Sequence, residues 1–444
     1  MSVLTSIPRG ARYRILCDRV FDPESQQCAA LQIDVSDETI TAVAPLTDAS
    51  LTEASLNKAD LSEAGEDVFD LRGQTLIPPL VDTHVHVYLD PWPLDPQQRE
   101  MPGSGEPEKE RAAALGRMKQ ALLAGVGAIR DLGDPHGVNL DAADDAASLT
   151  ELPHVVAAGA GLFREGRYGR FLGRPVAEGE TLLDAATRAA EDPRVDVVKL
   201  IMTGIVNFKK AMVTGVPQFT LEECESAVQT AHDVGKPVAA HCSGDAGVRV
   251  AVEADVDFIE HGYFMSRETM DLLIERDLAW TPTIIPVHAQ WNHSDCCGWD
   301  TETRDKMEGI LADHAELVRY ADAAGARILA GSDAGASGVG HGGGLWSELR
   351  LLEQAGLSAP RLLRMATLDA ARCLGLDDVV GRIRPGLSAD MTAFSGRVDE
   401  DLAHLESITW VIRAGRVLEA ERPWLESDSQ AETYGVSPTV DSAV

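Results

Sequence analysis

The pattern of apolar and polar residues divides the chain into a central region and two flanking regions. In the central region, short apolar runs of the kind that form buried strands alternate with amphipathic helical stretches. The runs lie at residues 76–87, 126–132, 154–160, 195–201, 237–242, 257–261, 279–285 and 326–333. Alternation of strand and helix indicates a parallel sheet built from βαβ units. Eight strands with intervening helices predict an α/β fold, a (β/α)8 TIM barrel.

The stretch after the fourth run illustrates the helical signals. Thr220 is a suitable N-cap, and Glu223 lies three residues later, where it completes a capping box. Gly235 follows the last residue of the apolar periodicity, as expected just past a helix end. The sequence therefore predicts a helix that begins after Thr220 and ends before Gly235.

The two flanking regions predict short β-strands. Candidate strands lie at 13–17, 30–34 and 39–43 near one end, and at 389–394 and 408–417 near the other. We expect the two ends to pair into one small β-sandwich. The predicted domains are residues 1–76 and 381–425 for the two parts of the sandwich and 77–380 for the barrel. Residues 426–444 have little apolar periodicity and are predicted to form a mobile tail.

Composition narrows the range of functions. The chain has 444 residues, of which 44% are hydrophobic and 25% charged, as in globular proteins. A formal net charge of -32 repels phosphate backbones, so nucleic acid is not expected as a partner. No window approaches the roughly 18 apolar residues of a membrane span, and residues 1–10 lack a signal-peptide core. The seven cysteines have no Cys-x-x-Cys spacing. We expect a cytoplasmic homo-oligomer that does not bind membranes.

Polar residues recur where the predicted barrel strands end. In TIM barrels the active site lies at the carboxyl ends of the strands. His84 and His86 point to the same face of the first strand, because side chains alternate with period two. The complete set of candidates at strand ends is His84, His86, Lys199, His241, His261 and Asp333. Without a metal, several of these buried groups would lack a partner. Histidine and carboxylate ligands favour zinc, with cobalt or manganese as alternatives.

With these residues the chain resembles the amidohydrolase superfamily. The resemblance covers the split β-domain, the motif Asp82-Thr-His-Val-His86, the strand-end residues and the closing motif Gly386-Leu-Ser-Ala-Asp390. It implies two divalent metal ions. His84 and His86 would bind the more buried ion with Asp333, His241 and His261 would bind the more exposed ion, and Lys199, carboxylated by carbon dioxide, would bridge the two.

Lys199 also has a physical basis for this role. Burial lowers the pKa of a lysine, and the free amine can add carbon dioxide to become an anionic carbamate. Nucleobase deaminases of the superfamily typically place a catalytic glutamate three residues after the histidine of strand 5. Gly244 occupies that position here, which disfavours deaminase chemistry.

The resulting hypothesis is metal-assisted hydrolysis of an amide-type C–N bond in a urea, carbamate, N-acyl amino acid or dipeptide. A hydroxide held between the metals would attack the carbonyl carbon, while Asp333 takes the proton and returns it to the leaving nitrogen. One alternative is a mononuclear hydrolase of cyclic amides, such as imidazolone-type rings, in which Lys199 stays unmodified. Another is a non-catalytic scaffold for subunit assembly.

Within the superfamily the chain most resembles the cytoplasmic Xaa-Pro dipeptidase-like and phenylurea and carbamate hydrolase-like branch. The segments 199–204, 217–220 and 340–342 carry this resemblance. Relatives often have a Gly-Gly-His-Gly loop after strand 3, whereas this chain has Arg167 and Tyr168 in the corresponding segment.

The substrate pocket is less clearly specified by the sequence. The predicted substrate contacts are His341, Tyr168, Arg167, His288 and Tyr263. The loops 88–107 and 286–299 are expected to determine specificity. Aromatic residues in the second loop suit an apolar or aryl substrate, while Arg164, Arg167 and Arg170 could hold a carboxylate. The sequence does not decide between these two classes of substrate.

Overall fold

A computed structural model describes residues 12–47, 67–95 and 107–418. Parallel strands form its centre, and each of the apolar runs predicted from the sequence contains one of them. Their bounds are Leu80–Val85, Val126–Asp131, His154–Ala157, Val198–Ile201, Val238–Cys242, Phe258–His261, Ala279–Thr281 and Arg327–Ile328. The tail predicted at 426–444 lies outside the described residues.

These strands belong to two parallel sheets that adjoin along two seams. One sheet contains the first three strands, and the other contains the remaining five. At one seam Asp196 N donates to Ala157 O at 2.8 Å. At the other seam Thr83 N donates to Ala330 O at 3.1 Å, and Asp333 N donates to His84 O at 2.7 Å. The strands therefore follow one another in the order of a TIM barrel, and the predicted fold class is confirmed.

Two additional pairs of short strands follow the third and fourth strands of the barrel. Strands Gly161–Arg164 and Gly173–Val176 pair in parallel, and the first of them also pairs with Val198–Ile201. Strands Val206–Asn207 and Met212–Val213 form an antiparallel hairpin directly after Val198–Ile201. Both pairs follow the carboxyl ends of barrel strands, where TIM barrels place their active sites.

Helices cover the outside of the strands and connect them. Their bounds are Pro107–Leu123, Val138–Ala146, Leu182–Glu191, Leu221–Asp233, Asp245–Glu253, Arg267–Glu275, Ile285–Asn292, Thr301–Ala323, Gly343–Gln354, Ala359–Arg364 and Ala370–Cys373. A π-helical turn spans Met365–Asp369 and a 3-10 helix spans Leu402–Glu406.

The helix predicted after Thr220 has the expected ends. Thr220 accepts a hydrogen bond from Glu223 N, and the Glu223 side chain accepts one from Thr220 N, so the capping box is complete. Gly235 has a φ of +75°, a left-handed conformation that glycine adopts without steric cost. The buried positions Cys224, Ala227, Val228 and Ala231 recur at the spacing of one helix face. The prediction for this helix is confirmed.

The two ends of the chain pair in one sheet. Its strands are Arg12–Asp22, Gln27–Ser36, Thr39–Pro45, Asp67–Asp70, Thr75–Ile77, Met391–Phe394, Ile408–Arg413 and Arg416–Leu418. The contact between the ends is antiparallel, with Ala393 opposite Leu76. This sheet has its own apolar core, which includes Tyr13, Ile33 and Ile412. The domain limits given by the sequence stay predictions.

The cysteines and the helices add two simple observations. All seven cysteines lie within the described residues and none forms a disulfide; four of them are buried. Among the described residues, no helix has both the length and the apolar character needed to cross a membrane.

Asp390 connects the terminal sheet to the barrel. Its carboxylate accepts from His154 Nε2 at 3.0 Å, from Arg413 Nη1 at 3.2 Å and from Ala414 N at 2.6 Å. Burial raises the pKa of this carboxyl group, but the His154 hydrogen bond and the Arg413 charge outweigh it, so the pKa lies below its usual value.

We expect Asp390→Asn to lower the free energy of unfolding by about 3–5 kcal/mol at pH 7, because Arg413 would stay buried without its carboxylate. The folded-state pKa is depressed, so this stabilisation is present above the unfolded pKa of about 3.9 and is lost as the pH falls through the folded value. Urea unfolding of both proteins at several pH values measures the difference. If the difference in unfolding free energy between the two proteins became larger below about pH 4, this account would be wrong.

Candidate active site

His84 and His86 lie at the end of the first barrel strand and share a carboxylate neighbour. Both rings are buried, with 1% and 3% of their surface exposed. Their Nε2 atoms lie 3.4 Å and 3.5 Å from the same oxygen, Asp333 Oδ1. The alternation of side chains along a strand places both imidazoles on the face that meets the end of the eighth strand.

The other nitrogen of each ring has a partner that fixes its tautomer. His84 Nδ1 lies 2.8 Å from Glu260 Oε2, and His86 Nδ1 lies 2.9 Å from the carbonyl oxygen of Gly133. A carboxylate and a carbonyl can only accept, so both Nδ1 atoms carry the proton. Burial lowers the pKa of both rings, to about 4 for His86, so each ring is neutral and carries only this one proton. The Nε2 atoms near Asp333 therefore have lone pairs, which is the form that binds a metal.

His261 is oriented in the same way by a hydroxyl group. Its Nδ1 lies 2.7 Å from Thr283 Oγ1, and that hydroxyl donates its own proton to Pro282 O at 2.8 Å. Thr283 must therefore accept from His261, which leaves the lone pair on His261 Nε2. The ring centroids of His241 and His261 lie 4.6 Å apart, and those of His84 and His261 lie 5.0 Å apart.

Potential ligand atoms of three of these side chains converge on one point. One atom each from His84, His261 and Asp333 lies within 4.8 Å of the other two. Two of these residues have left-handed backbone conformations, with φ of +70° at His261 and +55° at Asp333. Such strain costs about 1–3 kcal/mol per residue outside glycine and is typical of functional sites.

Asp82 holds the end of the eighth strand against the first. Its carboxylate accepts from Ser332 N at 2.9 Å and from Ser332 Oγ at 2.5 Å. Burial raises the pKa of this carboxyl group to about 6, and the Ser332 hydrogen bonds oppose that shift. Because Ser332 immediately precedes Asp333, the contact fixes the position of the Asp333 backbone.

Lys199 and His241 have polar atoms without protein partners. Lys199 is 1% exposed, and within the described ranges neither its Nζ nor His241 Nε2 forms a hydrogen bond. Burial lowers the pKa of Lys199 to about 8, and burial followed by the Lys199 charge lowers that of His241 to about 3. Buried polar atoms without partners are costly. Neutral imidazoles, one carboxylate and a buried amine fit divalent cations of the zinc type.

Sequence reasoning missed the residues that support the histidines. Glu260 accepts from His84 and also pairs with Arg130, whose Nη2 lies 2.6 Å from Glu260 Oε1. Both members of this ion pair are completely buried. The signal was present, since Arg130 and Glu260 are opposite charges within apolar strands and each needs a buried partner.

A cavity of about 390 Å³ opens over this cluster, which is the size of a small-molecule site. His86, His241, His261 and Asp333 contribute to its lining. The remaining lining residues are Leu89, Leu94, Tyr168, Phe171, Leu172, Gly204, Ile205, Val206, Phe208, Ser243, Tyr263, Pro286, Val287, Gln290, Cys297, Ala336 and Ser337. Val206 and Phe208 come from the hairpin after the fourth strand, and Pro286, Val287 and Gln290 come from the helix Ile285–Asn292.

The structure brings two of the predicted substrate contacts to the cavity. Tyr168 lines it, with its ring centroid 5.3 Å from that of His241. Tyr263 also lines it, although its hydroxyl donates to Thr283 O at 3.0 Å and its ring stacks on His314 at 3.9 Å. These two tyrosines remain candidates for substrate contact.

The other three predicted contacts lie elsewhere. Among the described residues, the cavity lining does not include Arg167, His288 or His341. Arg167 is exposed and donates to Val216 O at 2.8 Å. The buried ring of His288 lies 5.4 Å from that of Trp291, and His341 Nε2 lies 3.3 Å from Leu89 O.

Comparisons with known proteins identify the family to which this chain belongs. The sequence profile of the Amidohydrolase family matches residues 75–418. An uncharacterized protein of Mycobacterium tuberculosis (strain H37Rv) is 29% identical over 360 residues, covering 80% of this chain and 87% of that protein. Ochratoxinase of Aspergillus niger is 25% identical over 260 residues, covering 56% of this chain and 52% of that enzyme.

A solved structure of a Xaa-Pro dipeptidase with bound methionine in the active site is also similar. It is 27% identical, its TM-score is 0.76, and the match covers 92% of this chain and 100% of that one. The resemblance to the amidohydrolase superfamily, and within it to a Xaa-Pro dipeptidase, is confirmed. A solved phenylurea hydrolase, 17% identical with a TM-score of 0.70 over 92% of this chain and 97% of that one, shares the fold. The chain therefore belongs to the amidohydrolase family, and it is an enzyme that acts on C–N bonds.

Proposed function

We propose that this protein is a metal-dependent hydrolase that cleaves an amide-type C–N bond of a small molecule. The observation that carries the proposal is the convergence of neutral histidines and Asp333 at the carboxyl ends of the barrel strands, beside a cavity of small-molecule size. In TIM barrels this end of the strands is where catalysis takes place. The substrate class is an amide, urea, carbamate, N-acyl amino acid or dipeptide.

The resemblance to the family suggests which residues would hold each metal, and the tautomers of His84, His86 and His261 are compatible with that assignment. His84 and His86 would share one divalent ion with Asp333, and His241 and His261 would hold a second. Zinc fits this ligand set, and cobalt or manganese would fit it as well. Lys199, with its amine buried and without a partner, would bridge the two ions as a carbamate. Bound divalent ions polarise a carbonyl group and lower the pKa of water to about 7.

Asp333 would transfer the proton. Its carboxylate reaches the cavity lining, where a substrate carbonyl and an attacking water can both approach it. In the proposed reaction, the oxygen of the water bonds to the carbonyl carbon while Asp333 accepts a proton from that water. The same proton passes to the nitrogen as the C–N bond breaks, so the products are an acid and an amine. Ureas and carbamates would follow the same course.

A hydrolysis screen of the metal-loaded protein tests this function. The panel consists of N-acyl amino acids, dipeptides, aryl ureas, carbamates and anilides, with amine release as the signal. We expect treatment with a chelator to abolish turnover and subsequent addition of zinc to restore it. No turnover of any compound by the metal-loaded protein would favour the scaffold alternative.

The variant Lys199→Arg distinguishes a two-metal site with a carboxylated Lys199 from a one-metal site in which Lys199 is unmodified. We expect native mass spectrometry of the unmodified protein to show the added mass of one carbon dioxide per chain, and Lys199→Arg to lack it, because a guanidinium cannot form the carbamate. The variant is also expected to bind about one metal fewer per chain. Lys236→Arg, which changes a half-buried lysine outside the cluster, is the matched control. Two metals in Lys199→Arg would refute the bridging role.

A further inference from the structure

The cavity lining beyond the histidine and aspartate cluster is mainly apolar. The side chains that form it include Leu89, Leu94, Phe171, Ile205, Phe208 and Val287. The polar side chains among the rest are uncharged, namely those of Ser243, Gln290 and Ser337 and the two tyrosine hydroxyls. Within the described part of the chain, neither a lysine nor an arginine lines the cavity.

The arginines that the sequence offered for a carboxylate lie outside the cavity lining. Arg164 Nη2 binds both oxygens of Glu223, at 2.8 Å and 2.9 Å, and its Nε donates to Gln218 O. Arg167 is exposed and donates to Val216 O. Arg170 is exposed as well. Not one of the three contributes to the lining of the cavity.

The position of the reacting bond decides which part of the substrate meets the apolar lining. The C–N bond must lie against the histidine and aspartate cluster, so the substituents on either side of it contact the remaining lining. In the proposed reaction the metal ions would be occupied by the carbonyl group and the attacking water. A carboxylate on such a substituent would then lose its hydration without gaining a lysine or arginine partner among the described lining residues, which is unfavourable. The formal net charge of -32 acts in the same direction by repelling anions during approach.

We propose that the substrate is uncharged: an amide, urea or carbamate that bears an apolar or aryl substituent and no free carboxylate. This inference rests on the proposed function and narrows it, because it ranks N-acyl amino acids and dipeptides below neutral compounds. The aromatic rings of Tyr168, Phe171 and Phe208 form the part of the lining that suits an aryl group.

A matched pair of substrates tests the inference. N-acetylphenylalanine and N-(2-phenylethyl)acetamide differ only by the carboxylate beside the reacting C–N bond. We expect kcat/KM to be at least about tenfold higher for the neutral compound, a difference of about 1.4 kcal/mol. Equal turnover, or faster turnover of the acid, would overturn the proposal.

Two variants of Gln290 show whether the cavity causes this preference. Gln290 lies in the helix Ile285–Asn292 and lines the cavity without belonging to the metal cluster. Gln290→Lys places a cation in the lining and is expected to shift the ratio of acid to neutral turnover toward the acid by about tenfold. Gln290→Met, of similar size and without charge, is expected to leave the ratio unchanged. An equal shift in both variants would contradict a charge effect.

Binding measurements keep this proposal separate from the proposed function. Calorimetry of both compounds with the metal-loaded protein reports affinity whether or not turnover follows. Weaker binding of the acid supports the uncharged class even if neither compound is cleaved, and absence of cleavage across the whole panel counts only against hydrolysis. Tighter binding of the acid would refute the uncharged class even in an active hydrolase.

Discussion

Asp333→Asn is expected to lower kcat by about 10²–10⁴-fold while the protein stays folded. Asparagine keeps the shape of the side chain and one oxygen beside the histidines, but its amide cannot accept the proton of the attacking water at neutral pH. We expect KM to change much less than kcat, since the substrate meets mainly the apolar lining. Steady-state kinetics on the best compound of the screen measures both constants.

The metal content of Asp333→Asn decides whether its lower kcat reflects a lost proton acceptor or a lost metal ligand. Because His84, His86, His241, His261 and Lys199 are unchanged in Asp333→Asn, most of the metal is expected to remain bound, which elemental analysis of the protein measures. Asp300→Asn is the matched control, since Asp300 is an exposed N-cap where asparagine serves equally well. Full activity of Asp333→Asn would remove Asp333 from the proton transfer. Inactivity with complete loss of metal would make it primarily a ligand.

The sequence was sufficient to predict the barrel because the relevant signals are local. Each strand is a continuous apolar run, as expected where both faces of a parallel sheet are covered, and the capping box at Thr220 and Glu223 specifies a helix end from four residues. The strand-end rule then placed His84, His86 and Asp333 together without any long-range information. These three residues do lie together, with Nε2 to Oδ1 distances of 3.4 Å and 3.5 Å.

The contacts that the sequence did not predict depend on residues far apart along the chain. Glu260 binds His84 across 176 positions, and Thr283 fixes His261 through a hydroxyl that is itself held by Pro282. The residues that line the substrate cavity were also difficult to predict from the sequence. Arg167 and Tyr168 are neighbours, but Tyr168 lines the cavity while Arg167 is exposed. Which of two adjacent residues faces a pocket depends on the loop conformation, for which the sequence contains no periodic pattern.

Glu260→Gln is expected to weaken metal binding by about 10–100-fold through the tautomer of His84. Arg130 donates to Glu260 Oε1 at 2.6 Å, so the amide oxygen of glutamine would stay with Arg130 and its NH2 group would face His84 Nδ1. His84 Nδ1 would then have to accept, which moves its proton to Nε2 and removes the lone pair directed toward Asp333. Competition with a metal chelator measures the change in affinity.

The same substitution should also destabilise the fold, and Arg130→Met separates the two effects. Either change leaves one buried charge without its partner and is expected to lower the free energy of unfolding by about 3–5 kcal/mol. In Arg130→Met, however, the Glu260 carboxylate still accepts from His84 Nδ1, so metal affinity of the folded protein should stay near that of the unmodified chain. Glu316→Gln, which breaks an exposed pair with Arg267, is expected to cost at most about 1 kcal/mol in urea unfolding. If Arg130→Met loses metal as strongly as Glu260→Gln, the ion pair itself, and not the tautomer of His84, controls the affinity of the site.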